Sequence, residues 1–227
     1  MSPTLAELAK MFDHSLLQPV LTDAEMAKGC RLAAEYGVAS VCIKPYGVKT
    51  AAQLLAGTGV LVGTVIGFPH GGHLTRVKVF EAGAAMDDGA AELDMVVNIG
   101  KVLSGDWSYV ADDIKAVVDA AHRRGAKVKV IFENCFLKDE HKKRLCEICG
   151  DARADWVKTS TGYGETGATL DDLKLMREHS PPHVQVKAAG GVRSFDTLMA
   201  VREVGVTRVG ATATKQILDD AKSKLGG

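Results

Sequence analysis

Three side chains in this 227-residue chain could together do carbonyl chemistry. Lys158 sits in WVKTSTGYG, Lys187 in VQVKAAGGVRS and Asp94 in AELDMVVN. Lysine is depleted in strands and seldom buried without a partner, so one at the end of an apolar run needs a reason. One reason is plain: a strand-end lysine carries its amine out to water. The other is nucleophilic. Two ammonium groups held together in a partly apolar pocket depress at least one of their pKa values. Bringing a lysine from about 10.4 to ~7 costs its charged form roughly 4–5 kcal/mol and leaves half of it as free amine. A free amine adds to aldehydes and ketones to give a Schiff base. Asp94 is the carboxylate that could move protons or balance the second lysine's charge. On residue types alone, a buried salt-bridge cluster is the alternative.

A second constellation suits an anion. Gly190 and Gly191 follow Lys187, Gly210 and Thr212 lie in TRVGATA, and Gly162 comes just after Lys158. Glycine lets backbone N–H groups close on a phosphate, although ordinary turns use glycine too.

The elements that must position these residues are legible as a repeat. Apolar, β-branched runs start near residues 11, 38, 61, 91, 127, 155, 184 and 207. They recur roughly every 28 residues, the size of one strand plus one helix. Helical patterns fill the gaps. TDAEMAKGCRLAAEYG opens on a Thr22–Glu25 capping box and stops at Gly37, SYVADDIKAVVDAAHRRG stops at Gly125, and TLDDLKLMREH repeats the cap with Thr169 and Asp172. The pattern predicts a (β/α)8 TIM barrel, a single domain over residues 1–227, with a doubly wound open sheet as the alternative. In such a barrel the active site lies at the C-terminal ends of the strands, and phosphate sits after strands seven and eight. Lys158 and Lys187 then fall on adjacent strands, ~4.8 Å apart. Asp13, Cys42, Lys44, Asn98 and Glu133 also fall in or at the ends of strands. Alternation puts Asp94, Val96 and Asn98 on one face, and Trp156, Lys158 and Ser160 on another.

Composition removes other classes. Lys+Arg and Asp+Glu are both 28, so no net field draws nucleic acid or an anionic membrane. No apolar run is long enough to span a bilayer. The start, MSPTLAELAK, offers a helix cap at Ser2 with Pro3 behind it and no secretory segment. Five cysteines without framework spacing predict reduced thiols and a cytoplasmic protein. Cys146-x-x-Cys149 lies in a helical pattern without a second pair, so it reads as two helix cysteines rather than a zinc or redox site. His70 and His73, in PHGGHLT, read as solvated loop residues. No metal and no cofactor is predicted. The oligomeric state stays open, a homodimer being the assembly considered.

With these stretches in place the sequence resembles the deoxyribose-phosphate aldolases. The matching segments are DHSLLQP, ASVCIKP, TVIGFP, ELDMVVNIG, KVIFE, VKTSTGYGETGAT, VKAAGGVRS and RVGAT, in family order along the whole chain. The resemblance implies that Lys158 forms the Schiff base, Lys187 lowers its pKa and Asp94 joins the proton relay. It places Gly162, Gly190, Gly191, Val192, Arg193, Gly210 and Thr212 on phosphate-binding segments. The implied ligands are a small sugar phosphate and aldehydes, and the implied reaction is reversible cleavage of 2-deoxy-D-ribose 5-phosphate without a metal. A different Schiff-base aldolase such as a transaldolase, or a non-catalytic sugar-phosphate-binding barrel, are the rival readings. Four features depart from the family pattern. Lys44 adds a third amine near the mouth, the third loop carries His70 and His73, Ala213 stands where a second serine is usual, and the tail KSKLGG carries no terminal tyrosine.

Overall fold

A computed structural model describes residues 3–226. All eight apolar runs form strands: β1 (Phe12–Leu16), β2 (Ser40–Ile43), β3 (Leu61–Ile66), β4 (Glu92–Val96), β5 (Lys127–Ile131), β6 (Trp156–Lys158), β7 (Gln185–Ala189) and β8 (Val206–Ala211). They pair in parallel in chain order, and β8 closes on β1. The helices are α1 (Leu5–Ala9), α2 (Asp23–Glu35), α3 (Val48–Leu55), α4 (Thr75–Asp87), α5 (Ile99–Leu103), α6 (Trp107–His122), α7 (Asp139–Asp151), α8 (Leu170–His179), α9 (Phe195–Glu203) and α10 (Thr214–Leu225).

The helix boundaries follow local chemistry. Thr22 and Glu25 cap α2 reciprocally, with Gly37 in the left-handed region just beyond its end. Ser2 lies outside the described residues; α1 starts instead from a Thr4–Glu7 capping box. At α8 only half of the predicted box forms. Thr169 accepts from the Asp172 N–H, but the Asp172 carboxylate accepts from Lys142 Nζ at 2.6 Å and does not turn back.

Side-chain alternation along the strands decides where charge goes. Leu93, Met95, Val128, Val130, Val157, Val186 and Val209 are buried in the apolar layer shared with the helices. Removing such a side chain from water stabilises by about 1.5–3 kcal/mol each. Their neighbours in sequence, Glu92, Asp94, Lys129, Lys158, Lys187 and Arg208, meet one another inside the barrel. Branched apolar residues usually fill the axis of this fold. Here much of it is filled by ion pairs, and strand register sets them: Asp94 stands beside Lys129, and Lys158 beside Lys187.

Candidate active site

The cluster is built from charged side chains of six strands, with Lys158 at the C-terminal end of β6 and Asp94 and Lys187 mid-strand in β4 and β7. Asp94 Oδ2 accepts from Lys158 Nζ at 2.7 Å and from Lys187 Nζ at 2.8 Å. Its other oxygen accepts from Lys129 Nζ at 2.9 Å, and Lys129 also donates to Glu92 at 2.6 Å and lies 3.4 Å from Asp13. Asp13 pairs with Lys187 through one oxygen, and through the other with Arg208 and the Ser40 hydroxyl at 2.8 Å. Arg208 forks onto Glu92 as well. All seven charged groups are buried.

Four cations therefore face three carboxylates, Asp13, Glu92 and Asp94. An uncompensated charge in a water-poor interior is costly, so one cation is under pressure to shed its proton. Arg208 cannot. Lys129 touches three carboxylates and Lys187 touches two, whereas Lys158 has only a share of Asp94. Burial accordingly pushes the Lys158 pKa down, opposed by Asp94 and aided by the Lys187 charge. For Lys187 the same burial is outweighed by Asp13 and Asp94, which hold it above the ordinary lysine value. Burial also opposes ionised Asp94, but Lys129, Lys158 and Lys187 together keep it well below the usual carboxylate range. Cys42 Sγ lies 4.0 Å from Asp94, and burial first, then that carboxylate, raise its thiol to about 11.

Above the cluster opens a cavity of ≈ 640 Å³, walled by Asp13, Cys42, Lys158 and Lys187. Asp94 lies beneath that wall. Gly162, Gly190, Gly191, Val192, Arg193, Gly210 and Thr212 all line the cavity as well. Gly190 has φ +74°, and a Cβ on Gly167 would stand 2.6 Å from its carbonyl carbon, so backbone meets backbone on this side. The first turn of α10 opens beside them through Ala213 and Gln216 without a side-chain cap. Arg193 is exposed at the rim. The structure thus brings together all ten residues singled out from the sequence.

Other sequence features lie elsewhere. Lys44 donates to the Leu21 carbonyl at 2.7 Å and lies over the Tyr46 ring, so it is not a third amine on the cavity wall. Asn98 leaves its strand and caps α5. His70 and His73 are exposed, and among the described residues no three His, Cys, Asp or Glu side chains converge as a metal site. Cys146 and Cys149 are buried in α7, with Cys146 Sγ against the Met176 carbonyl. Glu92, Lys129 and Arg208 were not singled out from the sequence. Their signal was available: Glu92 stands two residues before Asp94 and Arg208 two before Gly210, so alternation gives each pair one face. Tyr163 was also missed. It crosses the mouth, donating to the Leu17 carbonyl at 2.8 Å and standing edge-on to Phe68.

The barrel fills its axis with ion pairs and leaves one lysine short of a counter-ion under an open mouth. Its sequence relatives give the class. Residues 7–214 match the DeoC/LacD family aldolase model, and the chain belongs to that family of carbon–carbon lyases. It is 58% identical over 220 residues to the deoxyribose-phosphate aldolase of Rhodopirellula baltica, covering 97% of this chain and 91% of that one. With the deoxyribose-phosphate aldolase of Thermococcus gammatolerans it shares 47% over 219 residues, 96% of this chain and 97% of the other. The tetrameric deoxyribose phosphate aldolase of Aeropyrum pernix superposes with a TM-score of 0.90 at 31% identity, over 97% of this chain and 93% of that one.

Proposed function

We propose that this single-domain enzyme reversibly cleaves 2-deoxy-D-ribose 5-phosphate to acetaldehyde and D-glyceraldehyde 3-phosphate through a Schiff base on Lys158. The observation that carries the reading is the position of Lys158: a cavity-lining amine with only a shared carboxylate, in a cluster with one cation too many. In the synthetic direction its neutral amine adds to the aldehyde carbonyl. A C–N bond forms, the carbonyl oxygen leaves as water, and an iminium remains. Loss of a methyl proton, relayed by Asp94 and Lys187 through water, gives an enamine. Its terminal carbon attacks the carbonyl carbon of the phosphorylated aldehyde, and hydrolysis of the new iminium returns the amine. Leu17, Cys42 and Val65, with Phe68 against them, make an apolar patch suited to the two-carbon donor. Backbone amides around Gly162, Gly190, Gly191, Val192 and Gly210, the Thr212 and Arg193 side chains and the open first turn of α10 suit the phosphate. No step calls for a metal or cofactor. A cytoplasmic location fits the unpaired cysteines, and no described helix is long and apolar enough to cross a membrane. A homo-oligomer fits the tetrameric relative from Aeropyrum pernix.

The test combines cleavage and trapping. The protein should cleave deoxyribose 5-phosphate equally well with and without chelator. Deoxyribose lacking the phosphate should lose several kcal/mol in kcat/KM, at least ~100-fold. Borohydride added with acetaldehyde should inactivate the protein and leave an ethyl group on Lys158. Equal efficiency on both sugars, or zinc-dependent recovery after chelation, would refute the reading.

A further inference from the structure

Two lysines of the same type line one cavity, on paired positions of neighbouring strands, and both touch the same oxygen of Asp94. Both are buried. Nothing in those contacts says which should be the nucleophile. The difference lies in a residue that the aldolase reading above counts among the carboxylates but gives no role of its own. Asp13 reaches Lys187 and not Lys158. It is also held in place: its second oxygen is fixed by Arg208 and by the Ser40 hydroxyl, and Lys129 lies beside the first. We infer that Asp13 selects the nucleophile, a positioning residue that keeps Lys187 as the cation and so leaves Lys158 to shed the surplus proton and react.

The inference rests on Schiff-base chemistry at this site and adds the choice between its two amines. The groups facing Lys187 are Asp13 from β1, Cys42 from β2, Asp94 from β4, Lys129 from β5, Lys158 from β6 and Arg208 from β8. Of these, the ionised carboxylates are Asp13 and Asp94, and Lys158 shares the second. Without the Asp13 charge, four cations would face two carboxylates, and two of them would be under pressure to lose a proton. Arg208 cannot, and Lys129 keeps Glu92 and does not line the cavity. The second proton must come from Lys187.

The experiment is Asp13→Asn, which keeps the side chain's size and its capacity to bond Ser40. Parent and variant are reacted with acetaldehyde and borohydride across a pH series, and the adducts are located by mass spectrometry. In each adduct the amine carbon–nitrogen bond forms, water leaves, and borohydride supplies the hydride that reduces the iminium. The parent should carry its ethyl group on Lys158 throughout. The variant should carry it on both lysines, the Lys187 share rising at least ~10-fold over the parent and appearing at lower pH. A folded variant labelled on Lys158 alone overturns the inference and leaves the aldolase reading intact; a parent with no lysine adduct overturns both. Should Asp13→Asn not fold, Lys158→Ala carries the decision. With Asp13 in place, Lys187 in that variant should stay unlabelled at neutral pH, and labelling there would show that Asp13 does not hold it in reserve.

Discussion

Lys158 is a liability to the fold, and the sign of its effect can be worked out. Its folded pKa is depressed, by burial first and by the Lys187 charge second. Below that folded value the native state holds a charged amine that it disfavours, and the penalty fades as pH rises toward the unfolded lysine value near 10.4. Lys158→Met keeps much of the volume, removes the surplus cation and leaves Asp94 paired with Lys129 and Lys187. The variant should be inactive yet more stable at pH 7, with Tm raised by at least about 2 °C, and the gain should shrink toward pH 10. Thermal unfolding of both proteins over that range decides it. An equal or lower Tm at pH 7 would mean that the Asp94 contact outweighs burial.

The loop after β6 is set by a side chain from the end of β5. Glu133 stands there in the left-handed region at φ 59°. Its carboxylate accepts from the Thr161 N–H at 3.1 Å and from the Thr161 hydroxyl, and that hydroxyl accepts from the Tyr163 N–H at 3.0 Å. This chain of bonds fixes Gly162 and Tyr163 against the cavity. Thr161→Val has the right shape but strips the hydroxyl, leaving the Tyr163 N–H and part of the Glu133 carboxylate unsatisfied at a cost of about 1–3 kcal/mol. We expect a lower Tm and a KM for the phosphorylated substrate raised several-fold, with kcat changed less. Unchanged KM and Tm would show that the β6 loop is held by something other than this clamp. Glu133 was visible in KVIFEN as a polar residue at a strand end. Its left-handed backbone and its partner were not, because both depend on where β6 ends relative to β5.

For the whole molecule, stability against pH should fall in two steps on the acid side. His14 is buried between β1 and α10, its Nδ1 2.9 Å from the Thr214 hydroxyl, and burial pushes its pKa down to about 4. The unfolded chain takes up that proton near pH 6.5, so native stability declines from there to the folded value. At about 1.4 kcal/mol per pH unit the step is worth about 3 kcal/mol. Asp13, Glu92 and Asp94 have depressed pKa values because, although burial opposes their charge, the four cations outweigh it. Their contribution is fully present above about pH 4 and is lost as pH falls through the folded values. Guanidinium midpoints across pH 3–8 should therefore show a shallow step and then a steep one, with the first absent in His14→Gln. A parent protein without any decline between pH 6.5 and 4 would rule out a buried neutral His14.

By itself the sequence determined what is local. Eight strands, the caps of α2 and α8 and the glycines of the seventh and eighth turns depend on propensity, periodicity and contacts a few residues apart. That much also placed Lys158, Lys187 and Asp94 in or at the ends of strands, and the family segments around them pointed to an aldolase. Barrel closure decided the charge balance. Asp13 and Lys187 are 174 positions apart, Arg208 and Asp13 are 195 apart, and neither pair exists until β8 meets β1. Alternation says that Glu92, Lys129 and Arg208 point inward, but only the three-dimensional count of three carboxylates against four cations says which lysine is short of a partner. Ionisation in a buried cluster depends on summed distances among all its charges, and no stretch of sequence carries those distances.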